Sequence, residues 1–336
     1  MTSFSRTASR LAIVAALATF GAAARGADLP SVITIGGPAE GSSGYLIATG
    51  YSTAITKYTS IKKVIIQPFA GAEAWPSRMQ TGEVNFGQHC GFKQVMEAYT
   101  GTGVFKSMGR LKNVRNVATA YGIPYSFHAV DPAIKQIADL KGRTVFVQPS
   151  HTDLYNATKT ILQTAGLTLG KDVKAIPFRS PTEPIQGLLT GRGDAMVYAA
   201  IPGLTEVQQG KGLHTLPITD EMFHKVDAVD PIWGQTVIKA GTGPTKPAVD
   251  TPVLELECGM AAGAQTSADT VYAVMKALYD HHDEWASVHP QAKQWTLQRA
   301  TQINVAPYHE GAVRFYKEKG IWTAALEAQQ KKLLAE

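Results

Sequence analysis

Short stretches of this 336-residue chain carry side chains able to hold or attack a small molecule. They are Ser42-Ser43-Gly44-Tyr45, Gly71-Ala72-Glu73 with Trp75, Gln88-His89, Tyr121, Ser150-His151-Thr152-Asp153, Arg179-Ser180 and Tyr198. Donors dominate the set: hydroxyls, amides, imidazoles and one guanidinium. Glu73 has no His, Cys or Lys beside it to form a nucleophile–base pair. The chain lacks a Gly-x-Ser-x-Gly elbow, and "GGPAEGSSG" does not fit the dinucleotide pattern Gly-x-Gly-x-x-Gly. Such a set suits gripping an anion better than reacting with it. Arg179 can meet a carboxylate with two parallel bonds, and a Gly-Ser loop opening a helix points backbone N–H groups at negative charge.

Several of these residues admit two readings. Trp75 either stacks on a flat ligand or packs under its own helix. His89 donates to a ligand oxygen, or titrates near neutrality, or is a satisfied structural histidine. Gln88 has an amide that both donates and accepts. Thr152 and Asp153 face an anion or cap the helix that follows them. Arg179 is a clamp or a solvated surface residue, and Tyr121 and Tyr198 sit where a crossing strand and a strand end would line a cleft. His281 and His282 are adjacent on a helix and point about 100° apart, so they do not share a metal readily. With no CxxC or Cys/His cluster, neither metal nor cofactor is expected.

The elements that position these residues alternate. Strand "SVITIGG", helix "YLIATGYSTAITKYT", strand "KKVIIQPF", a short helix, strand "VNFGQ" and a helix near "FKQVMEAYTG" form a first βαβ series. "NVATAYGIPYSFHAV" is a long extended stretch. A second series follows, with strands "TVFVQPS", "DVKAIPF" and "AMVYAAI" and helices "DLYNATKTILQTAGL" and "PTEPIQGLLTGRGD". "PAVDTPVLELECGMAAGAQ" reads as a strand returning through the middle, and helices capped first by Ser267 complete the chain. Ligands in open α/β sheets bind at the carboxyl ends of strands. Two such units sharing a cleft set loops 37–45, 70–76 and 88–91 against loops 148–153, 179–183 and 199–203, the architecture of hinge closure. The expected division is residues 27–120 as a first domain, 121–240 as a second, and 241–336 as the return strand with helices packing on the first.

The N-terminus reads as an export signal. Arg6 and Arg10 precede "LAIVAALATFGAAA", of signal-core length and too short to span a bilayer. The cut falls after Gly26, with Ala24 at the −3 position, or after Ala24. Removing residues 1–26 takes away three arginines and no acid, so the formal charge falls from +5 to +2. Without a cluster of Lys and Arg, the chain has no footprint for nucleic acid. Cys90 and Cys258 could pair in an oxidising compartment, and the sequence does not decide whether they do.

Over most of residues 31–322 the sequence resembles the TAXI group of substrate-binding proteins, which serve tripartite ATP-independent periplasmic (TRAP) transporters. The blocks that carry the resemblance are "QTGEVNFGQ", "IKQIADLKGRTVFVQPS", "TGRGDAMVYAA", "SADTVYAVMKALYD" and "PYHEGAVRFYKEKGIW". The resemblance implies a type II periplasmic-binding-protein fold, a periplasmic location and a receptor without catalysis. It also implies a carboxylate ligand, glutamate-like or dicarboxylic, delivered to membrane-embedded permease subunits. Where the family commonly has Ser and Asn, this chain has Ala72 and Trp75, which opens the site to a flatter, aromatic acid. A partner in signalling, or an exported enzyme on the same fold, is the alternative reading.

Overall fold

The computed structural model describes residues 28–69, 74–230 and 232–336. The signal-peptide reading of residues 1–26, and Gly71, Ala72 and Glu73, therefore lie outside the described residues.

The first series is β1 (Val32–Gly37), α1 (Ser43–Tyr58), β2 (Lys63–Pro68), α2 (Ala74–Thr81), β3 (Phe86–Cys90) and α3 (Phe92–Thr100). β1 runs parallel to β2 and β3, as a βαβ connection requires. Ile33 and Ile35 point into the core on one face of β1, and Ile47, Tyr51, Ala54 and Ile55 meet them from α1 at helical spacing. Next comes β4 (Val114–Ala129), then β5 (Thr144–Val147), α4 (Thr152–Thr164), β6 (Lys174–Pro177), α5 (Thr182–Leu189), β7 (Ala195–Ala199), α6 (Leu204–Lys211), β8 (His214–Leu216), α7 (Asp220–Val229) and β9 (Trp233–Ile238). β5 is parallel to both β6 and β7. The chain finishes with β10 (Thr251–Gly263), α8 (Ala268–Asp280), α9 (His282–Trp285), α10 (Glu310–Glu318) and α11 (Ala324–Ala335).

β4 and β10, antiparallel to each other, join the two series into one sheet of order β2-β1-β3-β10-β4-β7-β5-β6. At one end β10 pairs with β3 through Cys258–Ala262, and at the other with β9 through Thr251–Leu256. β4 meets β7 only from Tyr125 to Ala129. The two long strands thus pass from a first lobe to a second. The disulfide Cys90–Cys258, S–S 2.06 Å, ties β3 to β10 where they cross. The two cysteines are direct partners in the antiparallel register, which decides the pairing.

The motif around Tyr308-His309 proves architectural. His309 caps α10, its Nδ1 accepting from Gly311 N at 3.1 Å while Nε2 donates to Thr266 O at 2.9 Å. Gly311 lets α10 close on α8, since a Cβ there would stand 2.3 Å from Ala268 O. Among the described residues, no helix is long and apolar enough to cross a membrane.

Candidate functional site

A cavity of about 120 Å³ lies between the lobes and takes residues from all six loops singled out by the strand–helix alternation. From the first lobe come Ser42, Ser43, Gly44, Trp75, Gln88 and His89; from the second, Ser150, His151, Arg179 and Tyr198. Ile123 and Tyr125 of β4 form its floor.

The first-lobe wall is the start of α1. Ser42 caps that helix, donating to Ala39 O at 2.7 Å and accepting from Tyr45 N at 3.2 Å. Its hydroxyl is therefore engaged, whereas the backbone N–H groups of Ser43 and Gly44 have no partner among the described residues. A side chain at Gly44 would strike Pro38 Cγ at 2.6 Å, so the loop folds this tightly only with glycine there. Beside it, Gln88 is 1% exposed and donates to the Tyr121 hydroxyl, leaving its own Oε1 without a partner among the described residues.

Trp75 and His89 lie stacked, with ring centroids 5.6 Å apart and planes 13° from parallel. Trp75 is 3% exposed and covers Gly87, where a Cβ would meet the indole at 2.3 Å. The packing reading of Trp75 holds, and the same ring also borders the cavity. His89 does not titrate near neutrality as expected: burial pushes its pKa down to about 3, so the ring is neutral. Neither of its nitrogens has a well-formed hydrogen bond among the described residues, although the Gly91 backbone lies near enough to oppose part of the burial effect.

In the second lobe His151 is the N-cap of α4, its Nδ1 accepting from Leu154 N at 3.4 Å. That contact places the proton on Nε2, and burial keeps the ring neutral, with a pKa near 4. Arg179 is exposed, with no ion-pair partner among the described residues. Tyr125 meets His151, Tyr198 and Trp233 edge-on at 5.7, 5.9 and 5.7 Å, giving the cavity a rigid aromatic side.

Five expected contacts fall elsewhere. Tyr45 has its side chain outside the cavity, and only its backbone serves the Ser42 cap. Tyr121 is fully buried below the floor, as the acceptor for Gln88. Thr152 is exposed on the first turn of α4 and is not the cap, a place His151 takes. Asp153 turns from the cavity to Lys93, 3.6 Å away, and Ser180 bonds Thr182 Oγ1 at 2.9 Å. Conversely Ile123, Tyr125, Phe69 and Gln94 were not anticipated, and Gln148 only as a member of loop 148–153. Strand alternation carried a signal for Tyr125, which shares the parity of Tyr121 four residues nearer the first lobe.

The arrangement offers donors to an anion: two backbone N–H groups, a neutral imidazole N–H and a guanidinium, flanked by aromatic surface. Among the described residues, no group of three or more His, Cys, Asp or Glu is placed to hold a metal.

A model of the NMT1-like family matches residues 35–320, and the chain belongs to that family. Among solved structures it is similar to the periplasmic binding protein BugD, with 11% identity and a TM-score of 0.57 over 90% of this chain and 95% of that one. That likeness shows the fold of a periplasmic binding protein. The aliphatic sulphonate binding protein SsuA from Escherichia coli also aligns, at 13% identity and TM-score 0.45, covering 90% of this chain and 92% of SsuA. So does an ancestral arginine-binding protein bound to arginine, at 18% identity and TM-score 0.45, with coverage of 80% and 99%.

Proposed function

We propose that this member of the NMT1-like family is an exported solute receptor that takes a small organic acid into the interlobe cavity. It releases the acid to the permease subunits of a TRAP-type transporter. The observation that carries the reading is the convergence, on one cavity, of donors from both lobes that are unpaired among the described residues: Ser43 and Gly44 N–H from one side, Arg179 and His151 Nε2 from the other. An anion bridging them is bound tightly only when the lobes are together, so it shifts the population towards the closed form.

The ligand is held and not transformed. His89 and His151, the imidazoles at the cavity, are neutral, and among the described residues neither faces an acid that would orient it as a base. The Trp75–His89 stack and Tyr125–Tyr198 edges favour an acid with a flat or apolar body.

The test is small-angle scattering of the mature protein with glutamate, 2-oxoglutarate, succinate and benzoate, repeated with Arg179→Met. The reading expects a contraction with at least one acid, weakened tenfold or more in the variant. Transport by a co-encoded TRAP permease reconstituted in vesicles, absent when the receptor is omitted, tests the delivery step.

A further inference from the structure

The hinge strands have a second face. Along β4, Ile123 and Tyr125 look into the cleft, so Gly122 and Pro124 look the other way. Behind them lies a hollow of about 550 Å³, several times the size of the cavity in front. Both lobes wall it. Pro202, Thr205, Val237 and Ile238 belong to the second lobe, and Pro290 and Gln294 to the C-terminal segment after α9.

Glu255 of β10 stands in this hollow. Its carboxylate crosses the face of Gly122 on β4, where a Cβ would come within 2.1 Å of Oε1. Gly234, its register partner on β9, leaves the other flank open, a Cβ there lying 3.8 Å from Oε2. The neighbouring acid Glu257 is neutralised by Arg299, 2.5 Å from both its oxygens. Lys239, the ammonium at the rim, is committed to Asp250 at 2.7 Å. His289 accepts from Gln291 N through Nδ1. Glu255 has neither ion-pair nor hydrogen-bond partner among the described residues. Burial, then Glu257, raise its pKa above the ordinary value against a smaller opposing pull from Arg299, which is itself bound to Glu257.

We propose that this hollow is a second binding site, which takes a small organic ammonium ion on the Glu255 carboxylate with its apolar body against the proline and aliphatic walls, and that occupation favours closure of the front cleft. The second half rests on the receptor reading. Points on opposite sides of a hinge move in opposite senses, so an occupant that holds the rear open holds the front shut.

The experiment is a calorimetric titration of the mature protein with n-butylamine hydrochloride, with n-butanol as the uncharged control and no acid present. Saturable binding of the amine and none of the alcohol is expected. Glu255→Gln should weaken it at least tenfold, and Glu221→Gln, an exposed acid on α7 outside both cavities, should leave it unchanged. Equal binding to Glu255→Gln, or no saturation by about 10 mM amine, overturns the site. Because no acid is used, that failure is separate from a failure of the front cavity to bind acids. The coupling is read by small-angle scattering: saturating amine, or Thr205→Trp filling the hollow, should shift the protein to a more compact form. An unchanged profile with amine bound overturns the coupling.

Discussion

Lys93 Nζ on α3 of the first lobe lies 2.7 Å from Asp230 Oδ2 at the end of α7 in the second lobe. The same ammonium is 3.6 Å from Asp153 Oδ1 on α4. Asp153 and Asp230 are 5% and 7% exposed, so the bridge is partly withdrawn from water and ties the two lobes together. Lys93→Met leaves two buried carboxylates facing each other without a cation. It should cost about 1–3 kcal/mol, seen as a lower melting temperature together with weaker acid binding. Loss of stability without loss of affinity would make the bridge a packing feature only.

Acid should destabilise the protein well above the carboxylate range. His89 is held at a pKa of about 3, and His128 and His151 at about 4, by burial, against 6.5 when unfolded. Between pH 6.5 and about 4 the unfolded chain binds protons that the native chain refuses, so stability falls as pH falls. Asp153 acts oppositely. Burial raises its pKa from 3.8 to about 6, and its contribution to stability declines as pH rises through that window. With His289 also held near 4 by burial, four histidines outweigh Asp153 and the raised Glu255, each buried group worth up to about 1.4 kcal/mol per pH unit. Melting temperature should therefore drop steadily from pH 6.5 to 4.5, less so in His89→Asn.

The disulfide fastens a hinge strand to the first lobe. Mature protein should show no free thiol, and reduction, or Cys90→Ala with Cys258→Ala, should lower stability by about 3–5 kcal/mol, because the bond closes a loop of 168 residues. Thiol titration in denaturant and melting with and without reductant check both points.

Gly87→Ala should be as damaging as a large core deletion. Its methyl would enter the indole of Trp75 at 2.3 Å, on a strand with little room to move. About 1–3 kcal/mol of destabilisation is expected from overpacking, with a change in tryptophan fluorescence.

Much of this was legible from the chain, for physical reasons. The alternation of strand and helix places loop residues at one edge of a sheet, so Ser43, Gln88, His151 and Arg179 could be grouped at the cavity before any coordinates. What the pattern could not weigh was competition for each side chain. Asp153 and Ser180 occupy the right loops but are taken by Lys93 and Thr182. Tyr125 was passed over for Tyr121 because alternation gives parity along a strand, not depth below a surface. The pairing of Cys90 with Cys258 needed the antiparallel register of β3 and β10, which no local signal carries.

The central claim is that the front cavity binds an organic acid, and a thermal-shift screen tests it most directly. The panel is glutamate, glutamine, C4 to C6 dicarboxylates and aromatic carboxylates, run on wild type and on Arg179→Met. An acid at a hundred times its Kd should add about 2.7 kcal/mol of stability to the wild type, with most of that gain absent in the variant. Melting left unchanged by every acid, or raised equally in Arg179→Met, would contradict the account.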